Sequence, residues 1–224
     1  MKVCTDSCLF GAWIADKFER KTINPKIILD IGAGTGLLSL MIAQKSNAQI
    51  DAVEIDANSY QQTVENFLES LWSKRLQIYH ADIKNWKSKI KYDLIISNPP
   101  FFENDLKANG QNKNLAKHND GLTFAELLFA IKDNLAINGN FAILLPFHRI
   151  EYLKILAVEN GFYLQEELLV KQTPKHSYFR GMLFFGLKST SNISNELTIK
   201  DETGNYTDGF NLLLKDYYLA IRHA

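Results

Sequence analysis

The chain has little of what would staple, anchor or charge a protein. Among its 224 residues there are two cysteines, Cys4 and Cys8. That excludes a disulfide framework and a four-cysteine zinc site, so no metal is expected. Cys4 and Cys8 are read as small apolar residues. No apolar run approaches the ~20 residues that span a bilayer. Asp6 stands where a signal peptide would be apolar, so the expected location is the cytoplasm. No charge of one sign dominates: Lys+Arg and Asp+Glu are 25 each, for a net charge of zero. Any nucleic-acid contact must come from a local patch, because the whole-molecule field gives no steering. Repeats and long low-complexity stretches are also missing. What remains is ordinary globular composition, 46% hydrophobic and 22% charged, at a length that suits one domain. We expect a single monomeric unit over 1–224, with 189–224 as a C-terminal extension.

Short apolar runs alternate with helical patterns. Candidate strands are Lys26–Ile31, Gln49–Ile55, Leu76–His80, Tyr92–Ser97 and Asn140–Pro146. Asp6–Phe18, Leu37–Lys45, Asn58–Leu71, Leu122–Leu135 and Arg149–Asn160 have helical spacing. Asp56 is placed to cap a helix start, and Gly139 and Gly161 to cap helix ends. Buried strands alternating with helices imply a parallel sheet covered on both faces, a doubly wound α/β fold. After Gly161 the rhythm changes. Phe162–Val170 and Phe179–Leu187 read as an antiparallel hairpin, Ser189–Asn195 as loop, and the tail from Glu196 as a strand and the helix Phe210–Ala220. The expected sheet has seven strands. Phe102–Gly121 has seven Asn or Gly and little periodicity; a loop of that length is usually functional or mobile.

Three constellations carry chemistry. Asp30-Ile31-Gly32-Ala33-Gly34-Thr35-Gly36 follows a strand and opens a helix. Glycines let a ligand approach the backbone, and a helix start offers free N–H groups. Leu37 breaks the Gly-x-Gly-x-x-Gly spacing, which weakens a dinucleotide reading. Glu54, ending the next strand beside Ile55, can accept both hydroxyls of a ribose. Asp82 and Ile83 end the third strand; the acid can accept from an adenine amine and Ile83 can pack on the ring, although Asp82 is an equally good helix cap. Ligands bind outside the carboxyl ends of strands in such sheets, so these features reinforce one another. The third constellation is Asn98-Pro99-Pro100-Phe101-Phe102. An exocyclic base amine is a poor nucleophile because its lone pair is delocalised. The Asn oxygen and a prolyl carbonyl, its direction fixed by the ring, can accept both N–H bonds and draw the lone pair out of conjugation. Phe101 offers a surface for a flipped base. An Asn-Pro turn closing a strand is the plainer alternative.

Lys84, Lys87, Lys89 and Lys91 are read as a solvated face away from the site, and His80 as structural. Lys113 and Lys117, in the long loop, are candidate phosphate contacts, and His118 beside them could approach a bound nucleotide, a mobile exposed loop being the equal alternative. No acid falls between Leu168 and Asn195, whereas Lys171, Lys175, His176 and Arg180 do. A basic hairpin tip on a neutral chain suits phosphate contact, although a hairpin Arg such as Arg180 also pairs readily with a carboxylate.

These residues carry a resemblance. Asp30–Gly36, Glu54, Asp82 and Asn98–Phe101 resemble the motifs of Rossmann-like S-adenosylmethionine methyltransferases that act on amines. Met1-Lys2-Val3-Cys4-Thr5-Asp6-Ser7-Cys8-Leu9-Phe10-Gly11-Ala12-Trp13 is similar to the N-terminal pattern Met-Lys-Val-x-Thr-Asp-x-x-Leu-Leu-Gly-Ala-Trp of the bacterial tRNA1(Val) adenine-37 N6-methyltransferases, and Tyr206–Leu219 is similar to their tail. The resemblance covers essentially the whole chain. It departs at Cys4, where the family often has Gly, and the family usually carries residues ahead of this Met-Lys-Val. It implies S-adenosylmethionine as cofactor and tRNA as partner. Lys2, Val3, Thr5 and Asp6 would close over the methionine end, Gly32, Ala33 and Gly34 pass beneath the cofactor, Glu54 and Ile55 hold the ribose, and Asp82 and Ile83 the adenine. Asn98, Pro99, Pro100 and Phe101 would take the target base. Guanine-N2 methyltransferases of rRNA and glutamine-N5 methyltransferases of proteins share Asn-Pro-Pro-aromatic and stay open, as does a cofactor-binding RNA assembly module without catalysis.

Overall fold

A computed structural model describes residues 4–99 and 121–218. Strands β1 (Ile27–Ile31), β2 (Gln49–Glu54), β3 (Leu76–His80), β4 (Tyr92–Ser97), β5 (Leu135–Pro146), β6 (Tyr163–Lys171), β7 (Tyr178–Gly186) and β8 (Ile193–Thr198) form one sheet in the order β3-β2-β1-β4-β5-β7-β6-β8. The pairings β1–β2, β1–β4, β2–β3 and β4–β5 are parallel. β7 runs antiparallel to both β5 and β6. The doubly wound expectation holds for this mixed α/β sheet, with one strand more than the seven expected.

Strand residues alternate between two cores, as a period of two requires. Ile28, Ile50, Leu94, Ile96 and Leu144 pack with helices α1 (Thr5–Glu19), α2 (Leu37–Lys45), α3 (Ala57–Glu69) and α6 (Asp208–Leu214). Leu29, Val53, Ile95, Phe141 and Leu145 pack with α4 (Phe124–Asn134) and α5 (Ile150–Glu159). Two packed faces explain why the parallel strands read as unbroken apolar runs. Helix starts follow local rules. The Asp56 side chain accepts from Ser59 N at 2.8 Å, and Thr123 and Glu126 form a capping box on α4. α5 ends in a Schellman turn at Gly161, φ +83, where Phe162 N donates to Ala157 O and Gly161 N to Val158 O.

Two expectations are corrected. Gly139 caps no helix. α4 stops at Asn134, and Gly139 lies inside β5 where the β4–β5 register shifts. A Cβ there would sit 2.9 Å from the Tyr92 carbonyl oxygen, so the residue is glycine because another backbone passes. Ser189–Asn195 is also not all loop. Its last three residues begin β8, which pairs parallel to β6. Ile193–Glu196 is exposed, so this edge strand is held by backbone pairing and lacks the apolar pattern that marks a strand in sequence. The tail helix is placed at Asp208–Leu214; residues 219–220 of the expected Phe210–Ala220 lie outside the described residues. Among the described residues no helix is long and apolar enough to cross a membrane.

Candidate active site

The turn after β1 is held from below and behind. Gly32, Gly34 and Gly36 have φ of +72, +59 and +79, a region that disfavours side chains. At Gly36 a Cβ would also fall 2.6 Å from the Phe67 ring. Gly32 N and Ala33 N donate to Val53 O at 2.9 and 3.2 Å. From α3, Thr63 Oγ1 donates to Gly34 O at 2.7 Å and Asn66 Nδ2 to Thr35 O at 2.8 Å. Asp30 lies beneath, fully buried, with Oδ2 accepting from Ser39 Oγ at 2.7 Å. Burial pushes its carboxyl up to about 7, and the nearby charge of Glu54 adds to the effect.

Glu54 closes the loop onto β2. Its Oε2 accepts from Gly34 N at 2.7 Å and its Oε1 from Asp56 N at 2.8 Å. A carboxylate has about four lone-pair sites, so both oxygens keep capacity for a further donor. Ile55, next along, is 61% exposed although apolar. At the end of β3, Asp82 Oδ1 accepts from Lys84 N at 2.9 Å, and Lys84 Nζ stands 3.7 Å from Asp82 Oδ2. Ile83 is buried beside them. His80 stacks on Tyr60 with ring centroids 5.0 Å apart, the structural part expected of it.

Opposite, the end of β4 is tied to β1 by Ser97 Oγ donating to Ile31 O at 2.9 Å. The next residue, Asn98, donates from Nδ2 to Ser7 Oγ at 2.8 Å. Ser7 belongs to the first turn of α1 and lies 3.0 Å from Cys4 Sγ. In the same turn Asp6 accepts from Ser7 N at 3.1 Å and from Arg180 Nε at 2.8 Å. Burial alone would raise the Asp6 carboxyl, but hydrogen bonding from Cys4 and the Arg180 guanidinium hold it below the usual carboxylate range.

One cleft of about 590 Å³ gathers Gly32, Ala33, Gly34, Glu54, Ile55, Asp82, Ile83, Asn98 and Pro99. Its size suits a small-molecule site. A second cleft, about 420 Å³ beside Asn140, Gln165 and Phe184 at the opposite end of the strands, contains none of the expected site residues. Asp30 supports the main cleft from beneath and does not line it; Thr5 and Asp6 do not line it either. Lys2, Val3, Pro100, Phe101, Lys113, Lys117 and His118 lie outside the described residues. Sequence reasoning missed Ser7, Cys4, Thr63 and Asn66. Cys4 was read as a small apolar residue, Ser7 was given no role of its own, and the latter two sit in a helix with no motif to mark them. Cys4 is exposed at the cleft, whereas Cys8 is buried as expected. Lys84 was placed on a remote face, yet it lines the cleft, because the turn after β3 carries it to the strand end.

The hairpin residues divide. Lys175 is exposed at the turn between β6 and β7. Lys171 Nζ stands 4.2 Å over the Tyr178 ring and 3.3 Å from Glu196. Arg180, expected on phosphate, is turned to Asp6, the carboxylate pairing that its place in a hairpin also allowed. Since Arg180 pairs with Pro146 at the carboxyl end of β5, which runs parallel to β4, the hairpin turn lies at the same end of the strands as Asn98.

Residues 12–123 match the model of the methyltransferase small domain family. The chain is similar to tRNA1(Val) (adenine(37)-N6)-methyltransferases of Pseudoalteromonas translucida, 38% identical over 99% of this chain and 93% of the relative, and of Flavobacterium johnsoniae, 41% identical over 99% and 94%. The fold is similar to a predicted O-methyltransferase from Agrobacterium tumefaciens, with TM-score 0.71 and 16% identity over 94% of this chain and 96% of that one. It is also similar to a TehB-like SAM-dependent methyltransferase from Corynebacterium glutamicum, with TM-score 0.54 and 16% identity over 80% and 88%. The chain belongs to the methyltransferase small domain family and, within it, to the tRNA1(Val) (adenine(37)-N6)-methyltransferases.

Proposed function

We propose that the protein transfers a methyl group from S-adenosylmethionine to the exocyclic N6 of adenine 37 in tRNA1(Val), the reaction named for its relatives. The observation that carries this reading is one cleft holding the glycine loop and Glu54 on one side and Asn98-Pro99 on the other. The cleft fits the cofactor. Ile55 and Ile83 offer apolar surface for an adenine ring, with the Asp82 carboxylate beside them. Glu54 keeps acceptor capacity for two ribose hydroxyls. The acids Glu54, Asp56 and Asp82 suit a cationic ligand.

When bound, the cofactor supplies an electrophilic methyl on a sulfonium. The chain positions and polarises. Asn98 Oδ1 and the Pro99 carbonyl accept the two N–H bonds of the target amine and localise its lone pair. The glycine loop and Glu54 would hold the donor on the cleft wall facing Asn98 and Pro99, which would bring the two reactants together. No strong base is needed, because the proton leaves after transfer. The resemblance assigns Pro100 and Phe101 to the acceptor side. The resemblance assigns Lys2, Val3, Thr5 and Asp6 to an N-terminal cover, although Asp6 is bound to Arg180 and does not line the cleft. Lys171 and Lys175, with Lys113 and Lys117, contact phosphate. Arg180 braces Asp6 from the hairpin. The protein acts as a cytoplasmic monomer.

The test is incubation with labelled S-adenosylmethionine and tRNA from a strain lacking the gene, followed by digestion to nucleosides. Label is expected in N6-methyladenosine. Label in a methylated guanosine or in protein would replace this reading with one of the related chemistries.

A further inference from the structure

A side-chain amide can stand two ways round, since the torsion that turns it is roughly two-fold. One way presents an acceptor to the cleft and the other a donor. Only the first helps an amine, which brings two N–H bonds of its own. A cleft built on Asn98 therefore needs something that decides the orientation.

We propose that Ser7 is the positioning residue that sets the Asn98 amide, its hydroxyl taking Nδ2 so that Oδ1 is left for the target amine. The Nδ2 to Ser7 Oγ distance is 2.8 Å. Asn98 Oδ1 has no hydrogen bond among the described residues. A hydroxyl has one proton and two acceptor sites. Cys4 Sγ, 3.0 Å from the same oxygen, can take the proton and leave the oxygen to accept. Ser7 itself is buried and fixed. Its backbone N donates to Asp6 Oδ1, and Asp6 Oδ2 accepts from Arg180 Nε at 2.8 Å, which pins the first turn of α1 to β7. A line of contacts thus runs from the basic hairpin through Arg180, Asp6 and Ser7 to the reacting side of the cleft. The family's N-terminal pattern leaves position 7 open, so the assignment belongs to this chain and comes from its geometry. It rests on the function proposed above.

The experiment compares wild type, Ser7→Ala, Ser7→Thr, Asn98→Ala and the Ser7→Ala/Asn98→Ala pair. It measures kcat and tRNA KM by methyl transfer, S-adenosylmethionine Kd by calorimetry, and Tm. Ser7→Ala should lower kcat by about 10-fold, the effect of losing one orienting hydrogen bond. Cofactor Kd should stay within about two-fold of wild type. Ser7→Thr keeps the hydroxyl and should restore most of the rate. In the Asn98→Ala background, Ser7→Ala should cost nothing more, because residues acting as a unit are not additive. Full kcat in Ser7→Ala, an equal further loss in the Asn98→Ala background, or a Ser7→Thr as slow as Ser7→Ala would each overturn the assignment. Wild type that methylates no adenine in tRNA would instead remove the function on which it rests.

Discussion

On the glycine-loop side of the cleft, Gly34 N, Gly34 O and Thr35 O each have a protein partner, supplied by Glu54, Thr63 and Asn66. Across the cleft, Asn98 is held at one point among the described residues, by Ser7. The first side is rigid before any ligand arrives, so little ordering cost falls on binding there. On the second side Asn98 Oδ1 has no hydrogen bond among the described residues, an acceptor that the proposed reaction would use when the base enters. Under the proposed function the difference would be a division of labour: one wall to bind, and the other to act on what is brought to it.

The comparison is broken most sharply at Asn98. Asn98→Ala should cut methyl transfer by about 10²–10³-fold, the usual loss when a polarising group is removed, with cofactor affinity nearly unchanged by calorimetry. Glu54→Ala should do the reverse. Loss of charge-assisted hydrogen bonds should weaken cofactor binding by about 1.5–3 kcal/mol. It also releases Gly34 N and Asp56 N, so Tm should fall with it. Lys175→Ala leaves both walls intact. The slope of log K for tRNA against log salt should become shallower by about 0.7–0.9, one phosphate contact, with free-cofactor affinity constant. The smallest effect sharpens the rigid wall. Asp30 titrates at about 7 in the fold against 3.8 for a free carboxyl, so the folded state holds the proton longer than the unfolded chain. That contribution to stability is complete below about pH 3.8 and is lost as pH rises through about 7. Denaturant titrations across this range should show Asp30→Asn losing less stability than wild type on going from acid to neutral pH.

The glycine turn of the rigid wall was legible in the sequence, because its chemistry is local; its braces Thr63 and Asn66, 29 and 31 residues from the carbonyls they hold, were not. Glycines in one turn, Glu54 at a strand end and the Asp56 cap each announce themselves within a few residues. The acceptor wall was legible only in Asn98-Pro99. Its support comes from Ser7, 91 residues away in the chain, and spacing does not report such a contact. Arg180 shows the same limit, since whether it meets a phosphate or Asp6 depends on a helix 174 residues earlier. Gly139 imitated a helix cap because glycine serves equally where another backbone passes close. β8 escaped because an exposed edge strand is specified by pairing more than by side chains.

The central claim is that this cleft delivers a methyl to N6 of adenine 37. Two tRNA1(Val) transcripts that differ only at position 37, one with adenine and one with guanine, test it with labelled S-adenosylmethionine under equal conditions. The account predicts one labelled methyl on the adenine transcript, recovered as N6-methyladenosine, and none on the guanine transcript. Equal labelling of both would contradict it, since the methyl would then be placed elsewhere on the RNA.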